Sequence, residues 1–365
     1  MTSDLFSPLK MRDVTAPNRV MVSPMCQYSV EDRDGVPTDW HRVHLGSRAV
    51  GGAGVVMSEA TAVEPRGRIS PEDTGIWSGE HVEAWQPITE FISEQGSIPA
   101  IQLAHAGRKA SKSRPWEGSE PVQPDAGGWE TIAPSGTPWP YDEPAPPHRR
   151  MDQTDIEDVV ESFRSGAENA LEAGFEIAEV HAAHGYLLHE FLSPVINDRT
   201  DEYGGDFENR TRLLREVVAA VRAVWPDDKP VFVRISATDW FDDRESWTLE
   251  QSVRLAGDLA AAGVDLIDVS AGGIAPDSSP ADAGPGYQVP YAERIQESTP
   301  ASLRVGAVGA ITTPQQASQL IENGRADLAI VGREHLRDPY FTLRAAAELD
   351  ALDRVRVPAQ YDRAF

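Results

Sequence analysis

Eight short runs of apolar, mostly β-branched residues recur along the chain, and each is followed by a longer segment of helical periodicity. The runs are VMVSPM (20–25), GVVMSEA (54–60), IPAIQLA (98–104), EIAEVHA (176–182), VFVRIS (231–236), DLIDVSA (265–271), LRVGAVG (303–309) and DLAIVG (327–332). Between them lie amphipathic segments such as DIEDVVESFRSGAENALEAG (155–174) and NRTRLLREVVAAVRAVW (209–225). Gly174 and Gly263 stand where a helical pattern gives way to the next strand, which predicts left-handed caps that turn the chain. Eight strand–helix units predict an α/β fold, a single (β/α)8 barrel domain spanning residues 1–365. The competing doubly wound sheet would carry Gly-x-Gly-x-x-Gly after its first strand, and none follows here.

Composition narrows the function classes. The 365 residues are 40% hydrophobic and 25% charged, a globular balance. The N-terminal MTSDLFSPLK has no apolar signal region, and no run reaches the length needed to span a bilayer. The expectation is a soluble, cytoplasmic protein. A single cysteine, Cys26, excludes an intramolecular disulfide, a Cys-ligated zinc site and a protein-bound iron–sulfur cluster. A net charge of −25 argues against nucleic acid or an anionic membrane as partner. Lysine occurs only at 10, 109, 112 and 229, so arginine carries most of the positive charge. That combination suits a high-salt, halophilic cytoplasm, where self-repulsion is screened; an ordinary acidic protein is the alternative.

Two long connections stand out. Residues 111–150 are proline-rich, contain Trp116, Trp129 and Trp139, and follow the third strand. They extend a loop over the C-terminal face, where barrel enzymes do chemistry, as a lid or as a subunit contact. Residues 272–289 form a second such loop. The strand ends converge on this face. Strand one delivers Pro24, Met25, Cys26, Gln27 and Tyr28; strand two ends at Glu59, Ala60 and Thr61; strand three supplies Gln102 and His105, with Lys109 beyond. Strand four delivers His181, His184 and Tyr186, strand five Arg234, and strand six Ser270 with Gly272 and Gly273. An HxxH pair is compatible with a zinc site or with hydrogen-bond donors around another group. A hydrolytic zinc barrel adds a histidine pair on strand one and an aspartate on strand eight, where this chain has Pro-Met-Cys and Gly-Arg. A buried arginine and lysine would also oppose the metal, so no metal is expected. Gly309 after strand seven, and Gly332 with Arg333 after strand eight, predict a phosphate-bearing cofactor.

On these residues the chain resembles the Old Yellow Enzyme family of flavin-dependent ene-reductases. More narrowly, it is similar to the bacterial branch with a cysteine on strand one, which includes thermophilic-type enzymes and xenobiotic reductases. The segments LFSPLKMRDVTAPNRVMVSPMCQY, AIQLAHAGRKA, HAAHGYLLHEFLSPVINDRTDEYGG, GAVGAITTPQQA and VGREHLRDP carry the likeness across nearly the whole chain. The insertion SRPWEG…GWETIAPS is similar to that of the xenobiotic reductases, while the closing QYDRAF is similar to the thermophilic-type terminus.

The resemblance implies FMN across the barrel mouth, with NADPH or NADH as reductant and activated alkenes (enones, enals, maleimides, nitroalkenes) as acceptors in a ping-pong cycle. Gly273, Gly309, Gly332 and Arg333 match phosphate-side positions. Arg234 matches the residue beside the N1/C2 side of the flavin; a structural ion pair is its other reading. Gln102 and the Ala60 backbone match the pyrimidine edge, and Ser23, Pro24, Met25 and Cys26 the N5 and dimethylbenzene side. Cys26, which in isolation reads as a small buried hydrophobe, matches a thiol that tunes the flavin. Tyr28 matches a substrate-binding tyrosine, and Lys109 a residue near the flavin or the substrate rim, a solvated lysine being the alternative. The implied roles of His181 and His184 are to donate hydrogen bonds to the substrate oxygen, and that of Tyr186 is to protonate the α-carbon. His189 and Glu190 read as structural residues of the following helix. Arg363 matches an arginine that enters the neighbouring subunit's active site, which implies a homodimer or homotetramer. A dienoyl-CoA reductase would need an iron–sulfur cluster that one cysteine cannot hold. A flavin-binding redox sensor or non-turnover interaction module is the alternative from another class.

Overall fold

The computed structural model describes residues 4–280 and 282–364. Eight parallel strands close into a barrel in sequential order: β1 (Val20–Val22), β2 (Val55–Ala62), β3 (Ile98–Ala104), β4 (Ile177–Ala182), β5 (Val231–Ser236), β6 (Leu266–Ser270), β7 (Arg304–Ala307) and β8 (Leu328–Val331). Helices packed outside cover the barrel, among them α1 (Asp39–Val50), α2 (Gly79–Glu94), α3 (Gln153–Glu172), the short α4 (Leu187–Leu192) and α5 (Phe207–Val224). A hairpin pairing Leu9–Met11 with Val14–Ala16 sends Leu9, Met11 and Ala16 into the apolar cluster that fills the barrel.

All eight expected strands are present, and the differences lie at their ends. β1 stops at Val22, three residues earlier than the periodicity predicts. Pro24 has no N–H to continue the ladder, so Ser23 to Tyr28 run as irregular chain over the mouth. β7 ends at Ala307 rather than at Gly309, leaving the glycine in a turn. β2 instead continues to Ala62, through a register shift between Met57 and Ala60. α3 and α5 each begin two residues before the predicted start. Asp152 accepts a hydrogen bond from the N–H of Asp155, and Asp206 from that of Asn209, so each cap stands earlier than the apolar stripe. Gly174 and Gly263 have φ of +88° and +90°, the left-handed caps expected of them.

Candidate active site

Side chains alternate along a strand, so each barrel strand sends every second residue inward. At the lower level these are Ala100, Ile177, Phe232 and Leu266, all fully buried in the apolar plug. Two residues further along the same strands stand Gln102, Glu179, Arg234 and Asp268, and two beyond those Ala104, His181, Ser236 and Ser270. The interior thus changes from hydrocarbon to a polar layer to the site within four residues of each strand.

The polar layer is closely paired. The Gln102 Nε2 donates to Glu179 Oε1 at 2.7 Å, and Gln102 lies opposite Ala60 in the β2–β3 register. Arg234 Nε lies 3.1 Å from Asp268 Oδ2, an ion pair that is not aligned as a hydrogen bond. Burial drives both carboxyls above the usual carboxylate range, and the Arg234 guanidinium pulls each partly back. Arg234 thus forms the structural ion pair, and it also lines the cavity described below.

His181, His184 and Tyr186 converge above this layer. The His181 ring is 5.2 Å from each of the other two, edge to face in both cases. The His181 Nδ1 accepts from the Ala183 N–H at 3.3 Å, which leaves its proton on Nε2, facing His184 Nδ1 at 3.4 Å. His184 Nε2 is 2.6 Å from the Ser270 hydroxyl, which can donate or accept and so allows either tautomer. Burial, then the charge of Arg234, holds both imidazoles well below their ordinary pKa, so they are neutral donors. Burial pushes the Tyr186 phenol well above 10, so it keeps its proton. The turn is tight: His184 and Gly185 both have positive φ, +60° and +70°. A Cβ on Gly185 would lie 2.1 Å from the Gly273 carbonyl, and one on Gly273 would lie 2.8 Å from the His184 Cα. Glycine is required at both positions for the β4 and β6 loops to meet.

Cys26 and Tyr28 flank the same space, packed with Tyr186 and Trp129 around Ala60, Ile69, Ala104, Ala106 and Ala110. Burial raises the Cys26 thiol, which is thus held as a thiol rather than a thiolate. Lys109 is not the solvated lysine of the alternative reading. Its Nζ donates to the His184 and Gly273 carbonyls at 2.7 and 3.1 Å, with the faces of Trp139 and Tyr186 at 4.6 and 5.1 Å. Burial lowers its pKa to about 7. The insertion therefore reaches the site. Trp139 covers Lys109, Trp129 Nε1 donates to the Arg66 carbonyl at 2.9 Å, and the exposed Trp116 meets the Tyr28 ring edge-on at 5.9 Å.

A cavity of about 390 Å³ opens beside this group, lined by Arg234, Ser270, Gln288, Gly309, Gly332 and Arg333, among others. Gly309 has φ of +130°, and a Cβ on Gly332 would come as near as 3.7 Å to Ser23 and 3.9 Å to Met25. This brings Ser23 and Met25, with Pro24 between them, to the same wall. Arg333 is exposed, and its neighbour Glu334 is already engaged by Arg337 and Arg344 at 3.1 and 3.2 Å. Arg333, whose guanidinium has no partner among the described residues, together with Arg234, Arg337 and glycine-lined walls fits the phosphate-bearing part of FMN. Arg363 is exposed in the last turn of the chain, apart from these groups. Among the described residues no group of three or more His, Cys, Asp or Glu is arranged to hold a metal, and no helix is long and apolar enough to cross a membrane.

Some residues of the candidate site carry no motif in the sequence. Glu179 and Asp268 have only the inward spacing of their strands, two residues before His181 and Ser270, as a signal. Gln288 offered no signal, because it enters the cavity wall from a long loop.

The profile of the NADH:flavin oxidoreductase / NADH oxidase family matches residues 4–351. The NADPH dehydrogenases of Geobacillus thermodenitrificans and Bacillus subtilis are each 44% identical over 365 residues, covering all of this chain and 99% and 100% of theirs. Among solved structures, the Old Yellow Enzyme homologue from Zymomonas mobilis superposes with a TM-score of 0.77 at 28% identity, over 96% of this chain and 93% of that one. Morphinone reductase gives 0.78 at 26% identity, over 95% and 90%. With matches of this length, the chain belongs to the NADH:flavin oxidoreductase / NADH oxidase family and is an FMN-dependent, nicotinamide-oxidising enzyme of the Old Yellow Enzyme type.

Proposed function

We propose that this oxidoreductase reduces activated C=C bonds, in enones, enals, maleimides and nitroalkenes, by ping-pong turnover with NADPH or NADH. The observation that carries this reading is the convergence of His181, His184 and Tyr186, with the His181 ring 5.2 Å from each of the other two, where burial favours neutral imidazoles and a protonated phenol. FMN, when bound, supplies hydride transfer, taking it from the nicotinamide and giving it to the alkene β-carbon. Arg234, Gly273, Gly309, Gly332 and Arg333 would hold it, with Gln102, the Ala60 backbone and Ser23 to Cys26 along the ring.

The protein's own groups do the rest. His181 Nε2–H and His184 Nδ1–H donate to the substrate carbonyl or nitro oxygen; in that tautomer of His184 the Ser270 hydroxyl donates to its Nε2, one of the two roles the hydroxyl can take. Two donors at that oxygen stabilise the enolate-like charge that develops as the β-carbon is reduced. Tyr186 gives its phenolic proton to the α-carbon and recovers one from solvent. Tyr28, with Trp116 at its edge, bounds the substrate side. Because the imidazoles stay neutral below pH 6.5 and the phenol stays protonated above pH 10, none of these three groups titrates in the neutral range. The test is steady NADPH oxidation by purified holoenzyme with cyclohexenone. Bound FMN without sustained consumption would instead favour a redox sensor or non-turnover module.

Activated small alkenes are the proposed partners, and a homodimer or homotetramer the proposed assembly. Arg363 would act in a neighbouring subunit, which accords with its exposure at the chain end. Deleting residues 360–365 is expected to raise KM for cyclohexenone several-fold while FMN content stays unchanged. Steady-state kinetics with light scattering checks this; an unaltered KM, or a monomer, counts against it.

A further inference from the structure

The turn that presents the site is itself an expensive conformation. Two consecutive left-handed residues, His184 and Gly185, separate His181 from Tyr186, and a non-glycine residue at positive φ is strained. Three side chains hold its backbone. Ser236 Oγ accepts from the His184 N–H at 2.9 Å, Lys109 donates to the His184 carbonyl at 2.7 Å, and His189 Nδ1 accepts from the Gly185 N–H at 2.9 Å.

The third contact has a chemical condition attached. A neutral imidazole accepts at Nδ1 only when its proton is on Nε2. His189 Nε2 lies 3.0 Å from Asp239 Oδ1, with both side chains fully buried, a close pair that is not aligned as a hydrogen bond and in which neither atom has another hydrogen-bond partner among the described residues. The other Asp239 oxygen accepts from the Ser193 hydroxyl at 2.6 Å and from the Trp247 N–H at 2.8 Å. With its Oδ2 already taken by two donors, the carboxylate leaves Oδ1 as the acceptor nearest to His189 Nε2, and a small rotation of the ring would close the hydrogen bond.

We propose that His189 and Asp239 are positioning residues, in which Asp239 fixes the Nε2–H tautomer of His189 so that Nδ1 grips the turn carrying His184 and Tyr186. The role assigned to that turn rests on the proposed function above; the tautomer does not. The helix α4 residue that packs behind the site is thereby coupled to the site's geometry.

Asp239→Asn makes the sharpest test. Its carboxamide oxygen would stay with Ser193 and Trp247, so its NH2 would face His189 Nε2 and move the imidazole proton to Nδ1. That sets N–H against N–H at Gly185. Displacement of reacting groups by about 1 Å costs on the order of 100-fold. Flavin reoxidation by cyclohexenone in Asp239→Asn holoenzyme is therefore expected to slow about 10- to 100-fold, with FMN content unchanged. His189→Gln, whose amide can accept from Gly185 and donate to Asp239, is expected to stay within a few-fold of the wild type, whereas His189→Leu should resemble the Asn variant.

The imidazole 15N spectrum of wild-type holoenzyme reads the tautomer directly and needs no variant to fold. Nε2–H on His189 supports the proposal, and Nδ1–H overturns it. Reoxidation at the wild-type rate in both Asp239→Asn and His189→Leu would also overturn it. If Tyr186→Phe reoxidises normally, the fault lies with the proposed function instead, and the 15N result still stands on its own.

Discussion

Tyr186→Phe is expected to slow reoxidation of the reduced enzyme by cyclohexenone about 10²–10⁴-fold, the usual range for loss of a general acid. The substitution keeps the ring, its edge-to-face contact with His181 and its place against Lys109, and removes only the phenolic O–H. Reduction by NADPH needs no proton from this residue and should remain fast. A nitroalkene should suffer less in the hydride step, because its nitronate product is stable without immediate protonation. Rapid-mixing absorbance at the flavin band separates the two half-reactions. Any change in the wild-type reoxidation rate around neutral pH should come from Lys109, whose pKa burial lowers to about 7, and not from Tyr186, whose proton burial holds beyond that range, or from the two histidines, which stay neutral within it. Equal slowing of both half-reactions would refute the division of roles.

Arg234→Leu is expected to destabilise the folded apoprotein by about 3–5 kcal/mol at neutral pH, the cost of leaving one partner of a buried pair behind. Asp268 is fully buried, Arg234 is its ion-pair partner, and neither of its oxygens makes a hydrogen bond among the described residues. The sign of the pH dependence follows from linkage. Burial already raises the Asp268 pKa and Arg234 opposes that rise, so the variant's carboxyl should bind its proton more tightly still in the folded state. A folded-state pKa raised above the unfolded value makes the folded form retain the proton where the unfolded chain loses it. The variant should therefore regain stability as pH falls towards the unfolded carboxyl pKa, and lose it as pH rises. Denaturant unfolding of wild-type and variant apoprotein at several pH values checks this. A pH-independent difference would mean that lost packing, not the stranded carboxyl, is responsible.

The barrel was legible in the sequence because its signal is local and repeated. Eight apolar runs, each followed by a helical stripe, admit few other folds, and Gly174 and Gly263 marked their turns through a backbone angle that side chains disfavour. The end of β1 is not legible in VMVSPM, which is apolar but for Ser23, because the ladder depends on an N–H that Pro24 lacks. The members of the site were legible too, since strand ends in a barrel meet on one face: His181, His184, Tyr186, Arg234, Gly309 and Gly332 could be named from spacing and resemblance.

How those residues meet was decided only by the tertiary structure. The sequence leaves Lys109 either at the flavin or substrate rim or as a solvated lysine, and only the fold shows it caged by two carbonyls 75 and 164 residues away in sequence. Glu179 and Asp268 become consequential because strand register sets them beside Gln102 and Arg234 in a space that excludes water. His189, a plain helix residue in the sequence, reaches Asp239 from another strand's loop and so touches the turn beside Tyr186. Periodicity along one segment reports which face is apolar, and so it determined the barrel and its inward residues. Tautomers, charge pairs and perturbed protons depend on what approaches from other segments, and only closure of the barrel brings those groups within hydrogen-bond range.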